Sequence, residues 1–168
     1  FKQAKQQPWY NDTLFVVLGD HGFAAPEPMT EMDLYRFHVP MLLIAPGIQQ
    51  LFGTENTTVA SQVDMVPTIM GRLGGDVQHQ CWGRDLLTLP KNDQGFAMIK
   101  PSGSDQTVAL IKDDRILIQP KDVSARAWNY QLGAHPQSSP APEHADDAQW
   151  LKQLNAYIQT ATSSLLDN

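Results

Sequence analysis

Apolar residues fall in blocks divided by glycine- and proline-marked breaks, and the blocks change character along the chain. Thr13 to Leu18 is a continuous β-type run, and Val39 to Ala45 is a second, closed by Pro46-Gly47. Uninterrupted runs belong to strands covered on both faces, which predicts neighbouring parallel strands of one sheet. The connection between them, about twenty residues without apolar periodicity, is of a length that is usually functional or disordered in compact domains. Asp64 is placed to cap a short helix over Met65 to Leu73, with Pro67 tolerated in the first turn and Gly74-Gly75 ending it. Beyond Leu89-Pro90, Phe96 to Lys100, Thr107 to Lys112 and Arg115 to Gln119 read as a small antiparallel sheet, with a hairpin turn at Asp113-Asp114. Leu132 to Asp146, rich in Pro, Ser, His and Ala, reads as a loop. After it, Leu151, Leu154, Ile158, Ala161 and Leu165 recur at helical spacing, with Asp146 and Asp147 in the first turn, where the helix dipole favours acids. Phe1 to Gln7 reads as the last turns of a helix stopped by Pro8, and a helix that begins in its own middle points to a chain cut from a longer protein.

The first strand ends in Gly19-Asp20-His21-Gly22, which changes the picture from architecture to chemistry. A carboxylate and a neutral imidazole at the carboxyl end of a strand are suitable ligands for a divalent cation. The bland alternative is a loop cap with an exposed histidine, and for a lone Asp-His pair that reading is the commoner one. The second block weighs against it, because His38 introduces the second strand and Arg36 lies just before. The remaining histidines, His79, His135 and His144, sit in polar or proline-rich stretches and read as solvated. Cys81 is the single cysteine, which excludes an internal disulfide, and it reads as a half-buried filler. Trp128 and Tyr130 read as packing residues between sheet and helix rather than a ligand platform. A formal net charge of −6 argues against nucleic acid and leaves no basic face for anionic lipid. No apolar run has the length of a bilayer span, and no signal peptide is visible.

Four blocks occur in order: Trp9 to Gly22, His38 to Gly47, Ala60 to Met70 and Trp82 to Leu87. Together they resemble the carboxy-terminal half of a catalytic domain of the sulfatase and alkaline phosphatase superfamily, most closely its lipoteichoic acid synthase and phosphoglycerol transferase branch. The resemblance implies an α/β fold, part of an alkaline-phosphatase-like α/β/α sandwich, with the small antiparallel sheet and a C-terminal helix added. Residues 1–88 would form half of the catalytic core, and residues 89–168 would pack on it within the same domain. Asp20 and His21 match the family's paired metal ligands, for manganese or zinc and less readily magnesium or calcium. His38 would bind a phosphoryl oxygen or protonate the leaving group, Arg36 would meet an anionic substrate, and Asp64 would be structural.

The implied activity of the intact protein is metal-dependent transfer or hydrolysis at phospholipid or glycan phosphodiesters. Sulfate-ester hydrolysis is the first alternative, and a non-catalytic lipid-binding or regulatory module the second. The family's nucleophile and remaining ligands lie upstream of the Asp-His pair, so the chain by itself is expected to be inactive and to bind metal weakly. Members of this branch are extracytoplasmic, on the periplasmic face of the inner membrane or at the cell surface. Their membrane anchor would lie upstream, and exposed sheet edges would invite a homodimer.

Overall fold

The structure is a computed structural model that describes residues 1–24, 26, 27, 29–76, 78–101, 106–133 and 135–166. It divides into two compact units, residues 1–27 with 33–56, and residues 28–32 with 57–168.

In the first unit, Phe15–Leu18 forms β1 and Met41–Ile44 forms β2. The two are neighbours in one sheet, but they run antiparallel, with Phe15 opposite Ile44 and Leu18 opposite Met41. The parallel pairing expected from the apolar runs is therefore corrected. A parallel pair needs a crossover connection, usually helical. Among the described residues between these strands, a 3-10 turn, Leu34–Arg36, precedes β2, and the chain returns to the end of the ladder it left. Nor are the strands covered on both faces within the unit: Val17 and Leu42 face each other across the ladder and are 48% and 55% exposed. The other end of the same face is covered, because Phe15 packs among Phe1, Trp9 and Tyr10 at ring separations of 5.2, 6.2 and 5.9 Å. The first residues make 3-10 turns, Ala4–Gln6 and Tyr10–Asp12, rather than an α-helical end. A short helix, α1 (Ile48–Phe52), follows Pro46-Gly47.

The second unit holds α2 (Met65–Leu73) at the predicted bounds, with Gly74 after it. The expected Asp64 cap is corrected, because that side chain makes no cap hydrogen bond to α2 and is turned to the Ser61 N–H and Arg84. Its sheet is an antiparallel meander in sequence order: β3 (Ala97–Ile99), β4 (Val108–Lys112), β5 (Arg115–Gln119), β6 (Arg126–Gln131) and β7 (Gln137–Pro140). Strand β7 corrects the expected Leu132 to Asp146 loop, of which Ala134 lies outside the described residues. Gln-Ser-Ser-Pro lacks apolar alternation because it is an edge strand, where proline is tolerated and one side needs no ladder partner. Helix α3 (Asp147–Leu166) packs through Leu154 on Val108 and Leu110, with Trp150 and Ile158 beside them. Of the predicted stripe, Leu165 is exposed. Ala109, Ile111, Ile116 and Ile118, on the other sheet face, are buried too. Near them the Met29–Met32 segment is tied on, by Arg126 to Glu31 at 2.8 Å and by the Ser138 hydroxyl donating to the Met29 carbonyl.

Among the ion pairs of the second unit, those of Asp147 and Asp64 act as clamps, tying elements together through several hydrogen bonds each. Arg115 reaches both carboxylate oxygens of Asp147 at 2.9 and 2.8 Å, joining β5 to the start of α3. Burial alone would push the Asp147 carboxyl up, but the His144 backbone N–H and the Arg115 guanidinium hold it below its ordinary value. The other clamp centres on Asp64, whose side chain is 2% exposed. It accepts from the Ser61 N–H at 2.9 Å, the Arg84 N–H at 2.7 Å, and the Arg84 guanidinium at 2.9 and 3.3 Å. Arg84 also stacks on Phe96 and donates to its carbonyl at 2.9 Å. Gly83 allows this approach, since a Cβ there would run into the Val63 backbone.

Candidate metal and anion site

The antiparallel pairing decides where the chemistry-bearing residues lie. Gly19 N–H donates to the Pro40 carbonyl at 3.3 Å, extending the β1–β2 ladder by one step beyond Leu18 and Met41. Asp20 and His21 therefore leave β1 at the end where His38 enters β2. In parallel strands His38 would have been at the far end.

A second tie holds this rim: the Gly22 N–H donates to the Arg36 carbonyl at 2.9 Å. The approach is so close that a Cβ on Gly22 would run into the Tyr35 carbonyl oxygen. Asp20, His21, Arg36 and His38 are thus on neighbouring segments of one loop cluster, and all four are exposed. Gly22→Ala is expected to force the two segments apart, with a stability loss of ~1–3 kcal/mol and weaker zinc binding in the same protein. Urea melts and calorimetry would measure both, and unchanged values in both would show that the tie is not needed.

Within the rim, His21 Nδ1 lies 2.8 Å from the Gly22 carbonyl oxygen. A carbonyl can only accept, so Nδ1 carries a proton in this bond, which leaves Nε2 as the ring nitrogen that would meet a cation. This is the arrangement by which metal-binding histidines are oriented. Nε2 lies 3.9 Å from Asp20 Oδ2, while Asp20 Oδ1 accepts from the His21 N–H at 2.9 Å. Asp20, through a carboxylate oxygen, and His21, through Nε2, are the residues that would hold a divalent cation here. One imidazole nitrogen and one carboxylate oxygen form a donor set for zinc or manganese. Among the described residues no group of three or more His, Cys, Asp or Glu side chains is placed to hold a metal.

The rim also has a feature that the sequence reading missed. Phe23 is 85% exposed, and its ring meets the His21 imidazole edge-on at 6.2 Å. An aromatic just after Asp-His-Gly was the available signal. The other histidines behave as solvated residues: His79, His135 and His144 are exposed, and Cys81 is half-buried. Trp128 and Tyr130 lie in β6, where Trp128 pairs with Ile116 and the Tyr130 hydroxyl donates to the Asp113 carbonyl at 2.7 Å.

Residues 1–75 match the sulfatase family model. The solved structure of an alkaline phosphatase superfamily protein from Vibrio parahaemolyticus superposes on 95% of this chain with a TM-score of 0.71 and 22% identity. The amino-terminal part of the chain is thus similar to sulfatases. The likeness to the Vibrio structure shows a fold shared by this chain, mixed α/β with antiparallel sheets and a C-terminal helix. The arylsulfatase K proteins of Bos taurus and Mus musculus are each 32% identical to it over 97 residues, which is 53% of this chain. The match spans 18% and 17% of those relatives' lengths, and the superposition spans 38% of the Vibrio protein. Superfamily members generally use a divalent metal. The sulfatase match contains the Asp-His rim and all of α2, whereas Arg84 of the Asp64 clamp lies beyond it.

Proposed function

We propose that this chain supplies part of a metal-dependent site for cleaving sulfate or phosphate esters, with sulfate-ester hydrolysis as the first reading. The observation that carries the proposal is the His21 Nδ1–H bond to the Gly22 carbonyl, which aims Nε2 at the region of Asp20 Oδ2. The sulfatase match to residues 1–75 and the arylsulfatase K relatives favour sulfate over phosphate. When bound, a divalent cation would neutralise charge on the ester oxygens and on the attacking group.

The residues of the chain have separable tasks in this reading. Asp20 contributes the negative charge and His21 the oriented nitrogen. Arg36 offers a planar fork of donors suited to a tetrahedral oxyanion. His38, at the same end of the ladder, is placed to give a proton to the departing oxygen. Phosphoglycerol-type transfer to a lipid or glycan acceptor is the second reading, favoured by the order and spacing of the four sequence blocks. An extracytoplasmic location belongs to both readings. No helix of the described residues is long and apolar enough to cross a membrane. The exposed Val17–Leu42 face and the open strand edges offer a surface for a homodimer.

Calorimetry with zinc and manganese, paired with ester hydrolysis, tests the proposal. With two oriented donors, this chain should bind zinc weakly, with Kd above about 1 μM, and His21→Ala should weaken binding at least about tenfold. In the longest natural protein that carries these residues, 4-methylumbelliferyl sulfate should be cleaved faster than bis(p-nitrophenyl) phosphate, and His21→Ala should abolish both. The reverse preference would transfer the assignment to phosphodiesters. Metal binding indifferent to His21→Ala would remove the metal site, and metal binding without turnover of either ester would leave a binding module.

A further inference from the structure

The second unit has an open groove of about 470 Å3, far along the chain from the Asp-His rim. It is bounded by the Asn92–Phe96 loop, by Lys112 and Asp113 at the β4–β5 turn, and by Trp150 and Gln153 on α3. Its volume lies in the range of ~300–1,000 Å3 usual for small-molecule sites.

The walls are held in place before any ligand arrives. Asp93 Oδ1 accepts from the Gly95 N–H at 2.8 Å, and the Val59 N–H donates to the Gln94 carbonyl at 2.9 Å. On the opposite wall, the Tyr130 hydroxyl and backbone N–H donate to the Asp113 and Asp114 carbonyls, each at 2.7 Å. Burial, with Asp114 and Asp113 nearby, pushes the Tyr130 phenol up to about 12, so it stays a donor throughout the neutral range. Trp150 is fixed at the base by its packing on the Val108, Leu110 and Leu154 cluster. Preformed walls reduce the ordering cost of binding.

The lining chemistry narrows the ligand. Asn92 and Gln153 present amides, each with donors and acceptors, while the Gln94 amide is turned to the Asp113 carboxylate. Asp93 and Asp113 present carboxylates against the single ammonium of Lys112, and Arg84 is engaged with Asp64. That balance disfavours an anion. The abundance of polar groups disfavours a purely apolar ligand. Lys112 Nζ lies 5.1 Å over the Trp150 ring, a weak contact that covers the ring face a ligand would take and would have to yield to it. A ligand with an apolar C–H face and a rim of hydroxyls matches an indole surrounded by amides and carboxylates.

We propose that this groove is a saccharide-binding site that takes a neutral hexopyranose unit against Trp150. Asn92 and Gln153 hydrogen-bond its hydroxyls, and Lys112 swings off the ring to make room. The assignment does not rest on the metal-dependent reading, because its residues and its readout are separate from the Asp-His rim.

The test is a titration of the full chain with cellobiose, followed by NMR at the Trp150 indole N–H and the side-chain amides of Asn92 and Gln153. Saturable shifts confined to these groups are expected, without added metal. The double variant Asn92→Ala/Gln153→Ala should weaken binding about tenfold or more. Its thermal midpoint should stay unchanged, since Asn92 is exposed and neither residue belongs to the buried cluster. Absence of saturable shifts, or equal binding by the double variant, would overturn the assignment. The same shifts produced by sodium sulfate alone would also overturn it, in favour of an anion site.

Discussion

Asp64→Ala is expected to destabilise the second unit by about 3–5 kcal/mol, the usual loss when one partner of a buried ion pair is removed. The carboxylate is nearly inaccessible, yet it receives the Ser61 N–H, the Arg84 N–H and the Arg84 guanidinium. Alanine would leave those two backbone donors unsatisfied, and each orphaned group costs about 1–3 kcal/mol. Arg84 would also lose the partner that justifies its position over Phe96. Asp64→Asn should cost less, because an amide oxygen still accepts from one backbone N–H while the charge is lost. Urea unfolding of the three proteins at neutral pH would separate these contributions. A loss below about 1 kcal/mol for alanine would mean that water replaces the clamp without difficulty.

The second large effect is expected at Leu154, where truncation to alanine should cost about 2–5 kcal/mol. Leu154 is fully buried and joins α3 to the sheet through Val108 and Leu110, with Trp150 and Ile158 on the same helix face. The polar backbone of the sheet resists collapse into the space left behind, which places the effect toward the upper part of that range. Leu165 makes a control from the same helical stripe. It is 81% exposed, so Leu165→Ala should change stability by less than about 0.5 kcal/mol. Similar losses at the two positions in thermal or urea melts would contradict the burial difference.

What was legible in the sequence depended on how local its cause is. Helix α2 has its end written in Gly74, and β4–β5 are written in two apolar runs around Asp113-Asp114; each signal lies within a few residues of its effect, whereas Asp64 marks the start of α2 without capping it. Strand β7 was not legible, because Gln137–Pro140 takes its conformation from pairing with β6 and has no apolar face of its own. The direction of β2 was missed for a related reason: an apolar run reports burial, while direction is set by where the connecting loop returns. At the candidate site, Asp20 and His21 were legible as adjacent donors. The grouping with His38 and Arg36 came from the antiparallel return and the Gly22–Arg36 bond. Asp64 was recognised as structural, but its partner Arg84 stands too far along the chain for spacing to reveal it.

The β1–β2 ladder has a consequence for the timing of order at the rim. The ladder has two strands, whereas the second unit closes a five-stranded sheet over a buried cluster. Two-stranded ladders are marginal by themselves, and weakly packed regions open far more often than the global unfolding rate would suggest. Amides of Val16 and Leu43 should accordingly exchange with solvent long before those of Leu110 and Leu117. Asp20 and His21 thus belong to the more readily opened part of the protein. Any cation they hold contributes part of its binding energy to closing that ladder, and metal loading would be read in deuterium uptake as slowed exchange along β1 and β2.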